Sequence, residues 1–536
     1  MTRHRQSIDT RIGRLLSLSS LSLAALNCAA PAAPSKVPPQ LPVKVASAPA
    51  KPSPARLDPM ASPPPATTAP DVQFPTISHD QLDNGLELRV VERKSYPIIE
   101  LRLVLFSGSA SDGQEPGLAN LTGQLLKAGR WNAADLAERA ESLGSSLEIE
   151  TGRDSTQISM AVTTGDFEAA LELLGAVVQS PRFAPVEFDK LKQRELERVK
   201  SAAKSSAEWA GSLVLYRQLF ASSEGTHPYS HFDATPAELE NMSLADCKRW
   251  YRANVTPRNA SLVVAGDVDP GAVRAAARRV FSEWLGAPAK PLHFGLPRSP
   301  TESVVWLVDR PQSAQSQIYV AGLGPERSSS NWPAVAAVNQ ILGGGVAGRL
   351  FLDVREKRSL AYHTGSNLEE SAHGPEPIVL SAGTQTAKTS LALQALLDNL
   401  SQITNAPPTA AEVGSASRYL SDSFLFRTET ASALAHLTAK LAVLHLPDDY
   451  YDTYRHALEK LDAASVFDAA RASFDFQHPV IVVAGDASRL EEPLSHFGEV
   501  RVVDPEHDFR TLSTVPANGA LPNPNTSRLP STPGTG

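Results

Sequence analysis

"LVVAGDVDPGAV" (residues 262–273) and "IVVAGDASRLEE" (481–492) share the string Val-Val-Ala-Gly-Asp, which begins at Val263 and again at Val482. Each copy is a short apolar run closed by Gly-Asp, the pattern of a buried strand that ends in a turn. A similar offset sets "LELRVVERKSYPIIELRLVLF" (86–106) beside "VVWLVDRPQSAQSQIYVAGL" (304–323), and both read as strands separated by a short break. A period of roughly 220 residues is far too long for a solenoid. It marks a duplicated domain, expected over residues 75–290 and 300–510.

Between the strands of each half lie long amphipathic helical stretches. In the first half the strand-like "SSLEIETGRDSTQISMAVTT" (145–164) precedes "GDFEAALELLGAVVQSPRF" (165–183) and "PVEFDKLKQRELERVKSAAKSSAEWAGSLVLYRQLF" (185–220). Strands in groups and helices in runs predict an α+β sandwich with helices on one face of a mixed or antiparallel sheet.

The chain has 536 residues, 42% of them hydrophobic and 20% charged, with a net charge of −8. That length exceeds one ordinary core. The absence of a basic block argues against a nucleic-acid partner. Arg3, Arg5, Arg11 and Arg14 followed by the apolar "LLSLSSLSLAAL" (15–26) form a secretory leader too short to span a bilayer. It ends in "LAALNCAA", which resembles a lipoprotein processing site at Cys28, although Asn27 stands where a small residue is usual. Residues 1–28 are therefore expected to be a signal peptide with a candidate acylated cysteine, and ordinary secretion is the alternative. Residues 29–74, rich in Pro and Ala, are expected to be a disordered tether, and 515–536 a disordered tail. Export to the periplasmic side of a bacterial envelope with a lipid anchor follows. Cys247, in "LADCKRWYRANV", has no partner and is expected to be a buried thiol.

One helical stretch raises a chemical question. In "EPGLANLTGQLLKAG" (115–129), Leu118, Leu121, Leu125 and Leu126 make an apolar face, yet the polar side carries only Asn120, Gly123 and Gln124. The surrounding sequence resembles the pitrilysin/insulinase-type zinc metallopeptidases, the inverted zincins, over nearly all of 80–510. "LDNGLELRVVE" (82–92) resembles the family's opening strand. "HPYSHFDATPAELENMSLADCKRWYRANVTPRNASLVVAGDVDP" (227–270) is similar to its loop and closing strand of the first half. "NQILGGGVAGRLFLDVREKRSLAYHTGS" (339–366) is similar to the signature of its second half. The resemblance implies two duplicated α/β-sandwich domains of the pitrilysin/mitochondrial-processing-peptidase type.

Active members carry H-x-x-E-H, two zinc-binding histidines with a general-base Glu between them. The resemblance aligns those positions with Asn120, Gly123 and Gln124. It sets the third ligand at Arg198, with Glu195 and Glu197 close by. Zinc needs about three imidazole, thiolate or carboxylate ligands. The expectation is that this chain binds no metal or other cofactor. The second half departs less from the family: Arg355 and Tyr362 in "VREKRSLAY" match an Arg/Tyr pair implied to bind the scissile carbonyl and its oxyanion. Without the resemblance these two are a solvated helix end and a half-buried strand residue. Gly343, Gly344 and Gly345 fit a substrate-contacting loop or a plain helix turn. His227 and His231 are four apart, but Pro228 interrupts them, and no G-x-S-x-G nucleophile occurs.

The resemblance thus implies the zinc-free subunit of a heteromeric metallopeptidase. Arg355, Tyr362 and half of a closed chamber would act with a zinc-bearing homologous partner on peptides or unfolded segments. The alternative is an inactive peptide-binding or scaffold subunit of an envelope complex. A third option is an autonomous metallopeptidase with a relocated site.

Overall fold

The computed structural model describes residues 73–298 and 300–518. The leader, Cys28, the tether up to residue 72 and the tail from 519 lie outside the described residues. Two sheets organise the chain. The first contains β1 (Ile77–Gln81), β2 (Glu87–Glu92), β3 (Ile98–Leu105), β4 (Glu148–Thr151), β5 (Thr156–Thr163) and β6 (Ala260–Gly266), in the order β1-β2-β6-β3-β5-β4. The second contains β7 (Val304–Asp309), β8 (Gln315–Glu326), β9 (Ala361–Leu368), β10 (Pro375–Gln385), β11 (Val480–Gly485), β12 (Glu499–Asp504) and β13 (Arg510–Val515). Their order is β13-β12-β7-β11-β8-β10-β9.

The two copies of Val-Val-Ala-Gly are β6 and β11, and they take the same place. Each runs parallel to one neighbour (β2, β7) and antiparallel to the other (β3, β8). Every residue of both strands is buried, which is why they read as continuous apolar runs instead of alternating ones. Gly266 ends β6 at φ +134°, where a Cβ would lie 2.1 Å from the Ile98 carbonyl oxygen. Only glycine fits there.

Helices pack on these mixed sheets, as the α+β pattern requires. On one face of each sheet the covering helix comes from the other half. Helix Ala207–Leu219 lies against β8 and β11 of the second sheet, and helix Ala431–Val443 lies against β3 and β6 of the first. Ala210, Leu213 and Val214 join a core with Tyr319, Ala321, Val482 and Ala484. Leu434, Ala435 and Leu437 join Val91, Val104, Val263 and Ala265. At about 1.5–3 kcal/mol for each large side chain fully buried, this exchange ties the halves together. Gly211 lets the contact close, since a Cβ there would sit 2.7 Å from Tyr319 Cε2.

A polar bolt adds to it. Arg153, in the β4–β5 hairpin, pairs with Glu369 at 2.9 Å and packs over the Tyr216 ring. Asp154 accepts hydrogen bonds from Tyr229 Oη (2.5 Å) and the Ala372 N–H (2.9 Å).

The folded region is slightly longer than its apolar patterning predicts. Phe74, expected in the tether, is buried against Phe424 and Tyr451, and its N–H donates to Asp452. At the other end β13 pairs Val515 with Val500, and the Asn518 N–H donates to Ser495 O.

Candidate functional site

Helix Leu118–Leu126 is positioned from its N-terminus. The buried Asp112 carboxylate accepts from the Gly117 and Ala119 N–H groups, both at 2.7 Å, replacing the missing intrahelical partners. Burial outweighs those bonds and pushes the Asp112 carboxyl up to about 8. Leu118, Leu121, Leu125 and Leu126 enter the first core as their spacing predicts. Cys247 is fully buried, as expected, and its thiol is pushed up to about 11 by burial.

The other face of this helix meets β4, the edge strand of the first sheet. A Cβ on Gly123 would lie 3.0 Å from Thr151 Oγ1 and 3.6 Å from Ile149 Cγ2. Gln124 Nε2 donates to the Ile149 carbonyl at 3.1 Å. The direction of that carbonyl follows from the hairpin. Gly152 N–H donates to Ser155 O at 2.8 Å, so antiparallel alternation points the Ile149 N–H and C=O out of the sheet edge. Gln124 therefore caps the edge of the strand. Asn120 is partly exposed beside it.

At the third position, Arg198 Nε contacts Glu195 at 2.7 Å, and its two terminal nitrogens grip Asp233 at 2.9 and 3.0 Å. Asp233 also accepts from Trp209 Nε1 at 2.7 Å. Two amides, a bare backbone and a paired guanidinium do not fit zinc, which takes imidazole, thiolate or carboxylate. Among the described residues, no group of three or more His, Cys, Asp or Glu is placed to hold a metal ion.

His227 and His231 each have a hydrogen-bond partner of their own. His227 Nδ1 accepts from the Tyr229 N–H, its ring stacks on Phe220, and burial pushes its pKa down to about 4. His231 Nε2 contacts Gly113 O at 3.0 Å.

The second cluster surrounds β9, the opposite edge of the second sheet. Arg355 sits in a π-helical turn, Phe351–Lys357, packed directly on β9. Such widened turns recur at functional sites. Its guanidinium lies over the Phe351 ring at 4.8 Å, and its ion pair with Glu356 is long, 3.9 Å. Ser359, between this turn and the strand, is held at φ +51°. Tyr362 is 49% exposed, and its hydroxyl donates to Gln315 Oε1 at 3.3 Å. Gly343–Gly345 form the exit of helix Trp332–Leu342. Gly343 is buried, its carbonyl accepts from the Ser366 N–H of β9, and a Cβ there would lie 2.5 Å from that nitrogen. Gly344 is exposed and Gly345 partly so. Gln315, His363 and Gly383 join this cluster without any signal in the linear sequence.

A cavity of about 510 Å³ is lined by Arg153, Asp154, Glu369, Glu370, His436 and Lys440, among others. Arg153 pairs with Glu369 there, and Glu370 lies between Lys440 and Arg327, which hold its carboxyl below the usual range despite burial.

Comparison with known proteins agrees with this architecture. The family model for insulinase (peptidase family M16) matches residues 89–221, and that for the peptidase M16 inactive domain matches 241–420. A Mycobacterium leprae protein named an uncharacterized zinc protease is 25% identical over 244 residues, 44% of this chain and 53% of its own length. The match thus spans about half of that mycobacterial relative. A Helicobacter pylori protein named a non-peptidase homolog is 24% identical over 374 residues, 68% of this chain and 83% of its own. The crystal structure of a peptidase M16 inactive domain from Pseudomonas fluorescens superposes with a TM-score of 0.71 at 25% identity, covering 77% of this chain and 98% of that one. A protease structure from H. pylori shares the fold at a TM-score of 0.68 and 20% identity, covering 76% and 99%. Two family models in sequence along more than half of the chain, and this duplicated fold, establish that the chain belongs to the pitrilysin/insulinase (M16) family.

Proposed function

We propose that this chain is the zinc-free subunit of a heteromeric metallopeptidase and contributes Arg355 and Tyr362 to peptide-bond hydrolysis carried out with a zinc-bearing homologous partner. The observation that carries the proposal is the contrast between the two clusters. Gly123 packs on β4 and Gln124 caps its edge, while Asn120 is a partly exposed neutral amide, so none of the three supplies an imidazole, thiolate or carboxylate. Arg355 and Tyr362 are exposed, the first with a long ion pair to Glu356 and the second with one hydrogen bond to Gln315.

In this proposal Arg355 presents a planar positive fork and Tyr362 one directed hydroxyl, and both donate to a peptide carbonyl oxygen as negative charge gathers on it. Loss of such a donor costs about 2.7–4 kcal/mol of transition-state stabilisation. The Gly343–Gly345 turn forms the adjoining wall for the peptide, which pairs with an exposed strand edge. Export and acylation of Cys28 are part of the same proposal, and mass spectrometry of the mature N-terminus tests them.

The deciding experiment purifies this chain alone and together with a homologue that carries H-x-x-E-H. The expected result is peptidase activity in the mixture only, lost with Arg355→Ala and with Tyr362→Phe. The name of the Helicobacter relative, a non-peptidase homolog, favours a second reading, a peptide-binding or scaffold subunit. Full activity of both variants in the mixture favours that reading.

A further inference from the structure

Strand alternation predicts that Tyr362 and His363 point to opposite faces of β9. The pairing of β9 with β10 breaks that rule. Gly383 pairs with His363, whereas Thr384 pairs with Ala361, so Tyr362 is an extra residue in a β-bulge. Ala361 remains in the second core with Ala382, while the bulge turns both Tyr362 and His363 to the face that carries Gly383. Bulges next to active sites re-aim side chains in this way.

Gly383 provides the seat. A Cβ there would lie 2.3 Å from His363 Cε1, 2.5 Å from His363 Nδ1 and 2.5 Å from Tyr362 Cζ. Both rings therefore lie across a position that no other residue leaves open. They meet edge to face, with centroids 4.9 Å apart and an interplanar angle of 70°. On the other side, the phenol hydroxyl donates to Gln315 Oε1 at 3.3 Å.

We propose that His363 is a positioning residue for Tyr362, holding the phenol ring over Gly383 so that its hydroxyl faces the peptide. The functional half of this inference rests on the role given above to the Arg355/Tyr362 site. Partial burial lowers the His363 pKa, and Glu208, in the first turn of helix Ala207–Leu219, opposes that shift. Gly383 and Gln315 bring no charge. The imidazole is therefore neutral at neutral pH and acts through ring contact, and its protonation changes the field at Tyr362.

The test places 3-fluorotyrosine at position 362 of the full chain and follows its 19F resonance across the acid range. The expected result is one step with a midpoint below about 6.5, the ordinary histidine value, absent from His363→Gln. In the mixture with an H-x-x-E-H homologue and a fluorogenic peptide, His363→Ala is expected to lower kcat about tenfold with KM within about twofold. His363→Phe, which keeps an aromatic edge against the phenol, is expected to recover most of that loss. A 19F step that persists in His363→Gln overturns the proposal. So does a His363→Ala kcat within about twofold of the parent while Arg355→Ala is inactive. Should the parent mixture cleave nothing, the divided-enzyme reading fails by itself, and the 19F result on the isolated chain still decides whether His363 governs Tyr362.

Discussion

Glu376→Gln should stabilise the protein at neutral pH and have no effect in acid. Glu376 is fully buried at the start of β10, beside the bolt that joins the two halves. Its Oε1 accepts from the Ser371 N–H at 2.7 Å, and its Oε2 has no hydrogen-bond partner among the described residues. Burial pushes its carboxyl up to about 8, from 4.5 in an exposed setting. A carboxyl raised on folding is protonated in the native state while the unfolded chain releases that proton. The contribution is fully present below pH 4.5 and is lost as pH rises toward 8. Each pH unit in that window removes about 1.4 kcal/mol, so roughly 3 kcal/mol is gone by pH 7. Glutamine keeps the acceptor for Ser371, places a donor where Oε2 is unpartnered, and cannot ionise. Urea unfolding of parent and variant at several pH values isolates the difference from all other titrating groups. The stability gap should open from near zero at acid pH to a few kcal/mol in favour of the variant at pH 8. A gap that does not change with pH, or a variant less stable at pH 8, would show that Glu376 does not carry a raised carboxyl in the native state.

Further outcomes follow from the packing and from the lost metal site. Gly211→Val forces a side chain into the 2.7 Å approach to Tyr319, which should cost about 1–3 kcal/mol or more. Because that helix covers the other half's sheet, tryptophan fluorescence and circular dichroism should report one shared transition moved to lower urea. The triple change Asn120→His, Gly123→Glu, Gln124→His restores two imidazoles and a carboxylate. Arg198, which the family resemblance aligns with the third ligand, stays paired with Asp233, and the carboxylate side chain introduced at Gly123 must displace Thr151, whose Oγ1 lies 3.0 Å from the Cβ position. Calorimetry at micromolar protein should find no stoichiometric zinc uptake, and saturable one-to-one binding would show that the helix face is less committed to β4 than its contacts imply.

The duplicated strands were legible because β6 and β11 are buried on both faces, which leaves an unbroken apolar signature in "LVVAG" and "IVVAG". The positions of Asn120, Gly123 and Gln124 were legible for a related reason: four leucines fix the helical register, and register assigns the remaining faces. The exchange of helices was not. Periodicity tells which side of a helix is apolar and says nothing about which sheet lies under it. Trp209 to Tyr216 is buried residue after residue because that helix is covered all round. The bulge at Tyr362 was equally silent. "AYHT" alternates as any strand does, and the extra residue exists only relative to Gly383 on the neighbouring strand. The prolines around Phe74 make it read as tether, although its ring joins the outer core of the first sheet.

In the proposed divided enzyme, metal and oxyanion chemistry reside on different chains. The most direct measurement assembles the active mixture, separates its chains under native conditions, and counts zinc on each by mass spectrometry while assaying each for peptide cleavage. The expected result is one zinc on the H-x-x-E-H chain, none on this chain, and turnover only on recombination. Stoichiometric zinc on this chain, with peptide cleavage by it alone, would overturn the divided enzyme.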